Sequence, residues 1–100
     1  ALQVKPILQI LDGEVMPLER VRTSAKAIAR LTELTLAATL GRSVEIAVQH
    51  LDAADRADAL AATLAECLPH TQIVVCPLGA VVGAHTGPGI VASVVSPLVD

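Results

Sequence analysis

The chain contains no phenylalanine, tyrosine or tryptophan among its 100 residues. Its core must therefore be built from aliphatic side chains, each of which buries less area than an aromatic ring. Hydrophobic residues still make up 53% of the chain and charged residues 17%, which excludes a disordered chain and indicates a globular one. A chain of this length is expected to form a single domain over residues 1–100.

Positive charge is also scarce, because the formal net charge is −3 and the isoelectric point lies near 5.5. Nucleic-acid binding relies on basic groups and on aromatic rings for base stacking, so we expect no nucleic-acid partner. No apolar run approaches the roughly 18 residues of a membrane span. The opening "ALQVKPILQILDG" lacks the basic region and cleavage site of a signal peptide.

Cysteine occurs only twice, as Cys67 and Cys76, which is too few for a disulfide scaffold. Both stand at apolar positions, so we expect buried free thiols and a reduced, cytoplasmic setting. The sequence starts at Ala1 without an initiator methionine, and its mean hydropathy of +0.63 is high for a free-standing domain. We therefore expect a piece of a longer protein whose remainder covers part of this surface.

The first element is a β-hairpin in "KPILQILDGEVMPLERVR", where Asp12 and Gly13 supply a tight turn. Pro17 cannot donate a ladder hydrogen bond, so the second strand is predicted at a sheet edge or at a bulge. The segment "TSAKAIARLTELTLAATLG" follows as a helix that Thr23 or Ser24 can cap and Gly41 can end. Its apolar face is predicted to hold Ile28, Leu31, Leu34 and Ala38.

A second helix is predicted in "LDAADRADALAATLAECLP", with Asp52 as its N-cap. Its buried stripe is predicted to hold Ala57, Leu60, Ala61, Leu64, Cys67 and Leu68. Three further strands lie in "SVEIAVQH", "TQIVVCPLG" and "IVASVVSPLV". The middle one is apolar on both faces, which predicts a central position. The ββαβαβ-loop-β order predicts a two-layer α/β domain with a mixed sheet of about five strands and two main helices.

The segment "AVVGAHTGPGIVASVV" places a titratable residue in a glycine-rich loop between two apolar runs. Gly83, Gly87 and Gly89 let the backbone turn sharply and bring inward-pointing amides close to an anion. His85 and Thr86 add an imidazole and a hydroxyl, so the loop is a candidate grip for a carboxylate or a phosphate. It is not a P-loop, because no Lys-Ser/Thr pair follows the last glycine. The alternative is a tight connector whose histidine only hydrogen-bonds the backbone.

Other polar residues are weaker candidates. Arg20 and Arg22 form either an anion or partner patch or a solvated strand end. His50 ends a strand, where α/β sheets bind ligands, but the residue pattern favours a structural histidine with satisfied hydrogen bonds. His70 follows a helix-stopping proline and is expected to be exposed. The histidines lack metal-ligand spacing, so we expect no metal site and no cofactor. No nucleophilic triad or carboxylate pair can be recognised in the sequence.

Three segments of the sequence resemble the DegV family of bacterial fatty-acid-binding proteins. They are "KPILQILDGEVMPLERVRT", "IAVQHLDAADRADAL" and "LGAVVGAHTGPG", which occur in the family's order and cover essentially the whole chain. The resemblance implies that residues 1–100 are the C-terminal domain of a two-domain protein. Its N-terminal domain, absent from this chain, would supply hydroxyl groups for the fatty-acid carboxylate, and the acyl chain would lie between or beneath the two domains.

The resemblance also implies site residues and a partner. His85, with Thr86, Gly87 and Gly83 beside it, would help hold the carboxylate head group. Arg22 would lie near the head group or on a docking surface for a separate ATP-dependent fatty acid kinase. That kinase would make an acyl-phosphate for phospholipid synthesis, so the chain itself would be a carrier and not an enzyme. An alternative is a histidine-based covalent carrier of phosphoryl or carbonyl groups, related to dihydroxyacetone kinases or sugar phosphotransferase domains, with His85 as nucleophile.

Overall fold

Valine-rich strands alternate with two alanine-rich helices along the chain. The structure, a computed structural model, describes residues 7–10, 14–17, 24–78 and 89–98. Its elements in chain order are β1 (Ile7–Ile10), β2 (Glu14–Pro17), α1 (Ser24–Thr39), β3 (Val44–His50), α2 (Ala54–Cys67), β4 (Gln72–Pro77) and β5 (Val91–Pro97). The predicted α/β class and the predicted order of elements are confirmed.

The five described strands form one mixed sheet in the order β2-β1-β5-β3-β4. β1 pairs with β2 antiparallel and with β5 parallel, while β3 pairs with β5 antiparallel and with β4 parallel. β2, which ends in Pro17, lies at an edge as the proline predicted. β5 enters between β1 and β3, although it comes last in the sequence.

The predicted central position of β4 is wrong. β4 is the other edge strand, and most of its residues are exposed, including Val74 at 45%. The central strand is β5, whose first five residues are all buried. Both strands are rich in valine, so apolar composition does not distinguish a strand with two neighbours from a strand with one.

The core lies between one face of the sheet and the two helices. That face of β3 consists of Val44, Ile46 and Val48, all of which are buried. The helices contribute Leu31 from α1 and Leu60 and Leu64 from α2. Each such side chain contributes roughly 1.5–3 kcal/mol on burial, so an aliphatic core without aromatic rings can hold the two layers together.

The face of α1 that contacts the sheet is broader than the apolar residues predict. Leu31 is buried, and Ile28, Leu34 and Ala38 are half-buried. Thr35 and Thr39 are also buried on this face, and the hydroxyl of Thr35 contacts the hydroxyl of Ser93 on β5 at 3.0 Å. The apolar periodicity of α1 does not predict that these hydroxyl groups lie in the core.

Two further predictions about the helices need correction. Asp52 does not cap α2: the N-cap position is Ala53, which has no side-chain cap, and Asp52 has a φ of 53°. A capping residue needs extended backbone angles, and this left-handed conformation rules them out for Asp52. Cys67 is exposed and is not part of the buried stripe, because it is the last residue of α2, where the helix leaves the core. Cys76 is half-buried. Gly41, with a φ of 69°, follows the end of α1 as predicted.

Candidate functional site

The candidate site lies at the end of the sheet where β3 and β4 finish and β5 begins, here called the His50 end. The strand register aligns His50 with Pro77 of β4 and with Val91 of β5. α2 starts at this end, since only three residues separate His50 from Ala54. Carboxyl ends of parallel strands, with helix starts beside them, are the usual ligand-binding place in α/β sheets.

Both residues that flank segment 79–88 are hydrogen-bonded to the end of β3. The Leu78 amide donates to the His50 carbonyl at 2.8 Å, and the Gly89 amide donates to the Leu51 carbonyl at 2.7 Å. The Leu51 amide donates in turn to the Ile90 carbonyl at 3.1 Å. Two consecutive residues of one strand end therefore fix the chain on either side of the segment that contains "GAHTGP".

Gly89 is the one glycine of the predicted loop that lies within the described residues. Its φ is +90°, a conformation that residues with a Cβ atom rarely adopt. A Cβ atom at this position would meet no other atom within 4 Å. The requirement for glycine is therefore a backbone requirement, as predicted for a sharp turn at the end of the loop.

The side chain of His50 also contacts the turn into α2. Its Nδ1 atom accepts a hydrogen bond from the Ala53 amide at 3.2 Å. A neutral imidazole that accepts at Nδ1 carries its proton at Nε2, so the outer nitrogen is a donor. This contact lies just before the helix and is not a side-chain cap of α2, and the structural role considered for His50 from the sequence is observed.

Two open grooves lie beside these contacts. The first has a volume of about 570 Å³. Its lining is His50, Asp52, Ala53, Ala54, Asp55 and Arg56. The second has a volume of about 550 Å³ and runs between the outer sides of α1 and α2, where small side chains such as Ala25, Ala29 and Ala59 line it. Arg56 lines both grooves, so a cation stands where the polar groove and the apolar groove meet.

The residues predicted to bind the ligand, Gly83, His85, Thr86 and Gly87, lie outside the described residues, as does Arg22. They stay predictions. His70 is exposed, as expected, and lines a shallow groove with Arg42 at the opposite end of the sheet from His50. Across the described ranges, no three histidine, cysteine, aspartate or glutamate side chains form a group that could hold a metal ion.

Sequence reasoning missed how the end of β3 connects its neighbours. It treated His50 as one candidate among several and did not link it to the loop or to the start of α2. The signal was a histidine at the last strand residue, three residues before the first amides of a helix without a serine, threonine or asparagine cap.

In the part of the chain that is described, no helix is long and apolar enough to cross a membrane.

The described residues define a two-layer α/β domain in which the end of β3, the start of α2 and the residues that flank segment 79–88 lie together. A sequence model described as "uncharacterised protein, DegV family" matches residues 1–98, and the chain belongs to that family. A DegV domain-containing protein of Streptomyces coelicolor is 53% identical over 97 residues, which are 96% of this chain and 34% of that protein. The protein DegV of Bacillus subtilis is 36% identical over 88% of this chain and 32% of its own length.

A solved structure gives the same result for the fold. The crystal structure of a fatty acid binding DegV family protein from Streptococcus agalactiae matches 85% of this chain with a TM-score of 0.66 and 30% sequence identity. The match covers 29% of that protein. The chain therefore spans about a third of the length of the relatives it matches.

Proposed function

We propose that this chain is the C-terminal domain of a two-domain fatty-acid-binding protein and that its glycine loop helps hold the fatty-acid carboxylate. The observation that carries the proposal is the attachment of both Leu78 and Gly89 to the end of β3. His85 belongs to the segment between these two residues, so the proposed loop would start and finish at the end of the sheet where α/β proteins usually bind ligands. The similarity to a fatty acid binding protein of the same family supports the choice of ligand.

The head group needs converging donors, because burying an unpaired carboxylate is costly. Amides of the loop, the imidazole of His85 and the hydroxyl of Thr86 would supply them, with Gly83 and Gly87 allowing a close approach. Each buried methylene contributes roughly 0.8 kcal/mol, so the acyl chain would supply most of the affinity. The head-group contacts would then set the orientation of the ligand.

The remainder of the longer protein is proposed to cover the sheet face that turns away from the helices. That face carries Ala47 of β3, Val74 of β4 and Val94 of β5, which the register places side by side. Val74 is 45% exposed, and an apolar side chain at this level on an edge strand favours a covering partner. The N-terminal domain, with the acyl chain between or beneath the two domains, would provide that cover.

The direct test is to purify the full-length protein, extract it with organic solvent and identify any bound lipid by mass spectrometry. We expect about one fatty acid per protein, and we expect His85→Ala to lower that occupancy. The matched control is His70→Ala, which removes a histidine at the far end of the sheet and should leave occupancy unchanged. Folded protein without fatty acid would contradict the proposal. A mass increase on His85 after incubation with a phosphodonor or a carbonyl compound would instead favour the covalent carrier.

The proposal extends to a cytoplasmic carrier that presents the carboxylate to a separate ATP-dependent kinase for acyl-phosphate formation and phospholipid synthesis. The free thiols of Cys67 and Cys76 are consistent with a reducing compartment. If Arg22 serves kinase docking, Arg22→Ala should slow acyl-phosphate formation, trapped as the hydroxamate, while fatty-acid occupancy stays unchanged. Equal loss of occupancy and of phosphorylation would place Arg22 at the head group instead. No acyl-phosphate with any candidate kinase would contradict this extension alone.

A further inference from the structure

His50 connects three parts of the chain through two of its atoms. Its carbonyl accepts from the Leu78 amide at 2.8 Å, which fixes the chain before segment 79–88. Its Nδ1 accepts from the Ala53 amide at 3.2 Å, which fixes the start of α2. The next residue, Leu51, makes both hydrogen bonds to Gly89 and Ile90, which fix the chain after the segment.

The turn that His50 closes contains a backbone conformation that needs support. Asp52 has a φ of 53°, in the left-handed region that most residues with a Cβ atom avoid. Among the described non-glycine residues, it is the one with a positive φ. No side chain caps the N-terminus of α2, so the Nδ1 contact of His50 is the interaction that ties this turn to the end of β3.

We propose that His50 is a positioning residue, which holds Leu51 and therefore the Gly89 side of the ligand loop in place through its Nδ1 atom. The inference rests on the proposed function for its effect on fatty-acid binding. Its structural part concerns only hydrogen bonds of the described residues. Loss of the Nδ1 acceptor releases the turn at Asp52, which loosens Leu51 and the two hydrogen bonds that it makes to Gly89 and Ile90.

Two substitutions separate the acceptor from the rest of the histidine. His50→Asn keeps an acceptor near the position of Nδ1, because the asparagine side-chain carbonyl can accept from an amide two or three residues later. His50→Ala removes the acceptor and leaves the backbone hydrogen bonds possible. His70→Ala is the matched control, since it removes an exposed imidazole from the opposite end of the sheet.

The first experiment measures amide hydrogen exchange by NMR on the full-length protein. In His50→Ala, the protection factors of the Leu51 and Gly89 amides should fall about tenfold, the equivalent of one lost hydrogen bond. His50→Asn and His70→Ala should retain the wild-type values. Unchanged protection of both amides in His50→Ala, in a folded protein, would overturn the proposal, as would equal losses in the alanine and asparagine variants.

The second experiment titrates a fluorescent fatty acid against the same variants of the full-length protein. His50→Ala should bind about tenfold more weakly than the wild-type protein, and His50→Asn should restore the affinity. Equal affinities of the wild-type protein and His50→Ala, or no recovery in His50→Asn, would overturn the proposal. Failure of wild-type protein to bind any fatty acid would contradict the proposed function instead, while the exchange result still decides the role of His50.

Discussion

Two valine-rich strands, β4 and β5, have similar sequences and opposite positions in the sheet. "QIVVCP" forms the edge strand β4, and "VASVVSP" forms the central strand β5. β5 is buried over its first five residues, while β4 leaves Val74 and Val75 exposed. The comparison shows that the number of neighbouring strands, and not the hydrophobicity of the strand, sets how much a valine contributes to this fold.

The largest expected effect comes from placing the same charge in both strands. Val95 of β5 is fully buried in the core, so Val95→Asp buries a carboxylate without a partner and should cost more than about 4 kcal/mol. Val74→Asp places its carboxylate at the solvent-exposed edge of this chain and should cost about 1 kcal/mol or less. Urea unfolding of the 100-residue chain measures both. Similar losses in the two variants would show that β4 is as deeply buried as β5 and would break the comparison.

A second prediction concerns the buried polar contact between Thr35 of α1 and Ser93 of β5. The Thr35 hydroxyl donates to the Leu31 carbonyl at 2.7 Å, and since a hydroxyl has one hydrogen, the Ser93 hydroxyl donates to Thr35 at 3.0 Å. Both side chains are 0% exposed. Thr35→Val leaves the Ser93 hydroxyl buried without its acceptor and should cost about 1–3 kcal/mol.

The double variant Thr35→Val/Ser93→Ala tests the same contact more sharply. It removes both hydroxyl groups, so it should cost less than the two single variants together by at least about 0.5 kcal/mol. Ser96→Ala is the control on β5, because Ser96 is only half-buried and should lose little stability. Additive losses in the denaturant-unfolding cycle would mean that the two hydroxyl groups do not depend on each other.

The sequence predicted local structure well and spatial neighbours poorly. Glycine at the end of α1, proline in an edge strand and the alternation in β3 are properties of short segments, and the structure confirms them. The edge position of β4 and the central position of β5 depend on strand pairing over long separations, which composition does not encode. The buried position of Thr35 depends in the same way on Ser93, 58 residues away.

In the candidate site, too, residue types predicted local features but not contacts between distant parts of the chain. A glycine-rich loop with a histidine was predicted from residue types, and Gly89, the part of it that the structure describes, has the positive φ expected of such a turn. The attachment of Leu78 and Gly89 to the end of β3 was not predicted, because it consists of backbone hydrogen bonds between residues far apart in sequence. The contact of His50 with the Ala53 amide was missed for another reason: residue type predicted Asp52 as the capping residue of α2, yet its backbone adopts a left-handed conformation.

The smallest expected effect tests whether β4 remains an edge strand open to solvent in the longer protein. Val74→Thr nearly preserves shape and β-propensity, so it should change the unfolding free energy of the 100-residue chain by about 0.5 kcal/mol or less. If the proposed second domain covers Val74, the same substitution in the full-length protein buries a hydroxyl against apolar groups and should cost about 1 kcal/mol more. Ala65→Ser, on the exposed side of α2, is the control and should change neither protein. Equal small effects of Val74→Thr in the 100-residue chain and in the full-length protein would show that the outer side of β4 is not covered in the full-length protein. The contrast between β4 and β5 would then be a property of the whole protein, and the covering domain would have to pack elsewhere on the sheet.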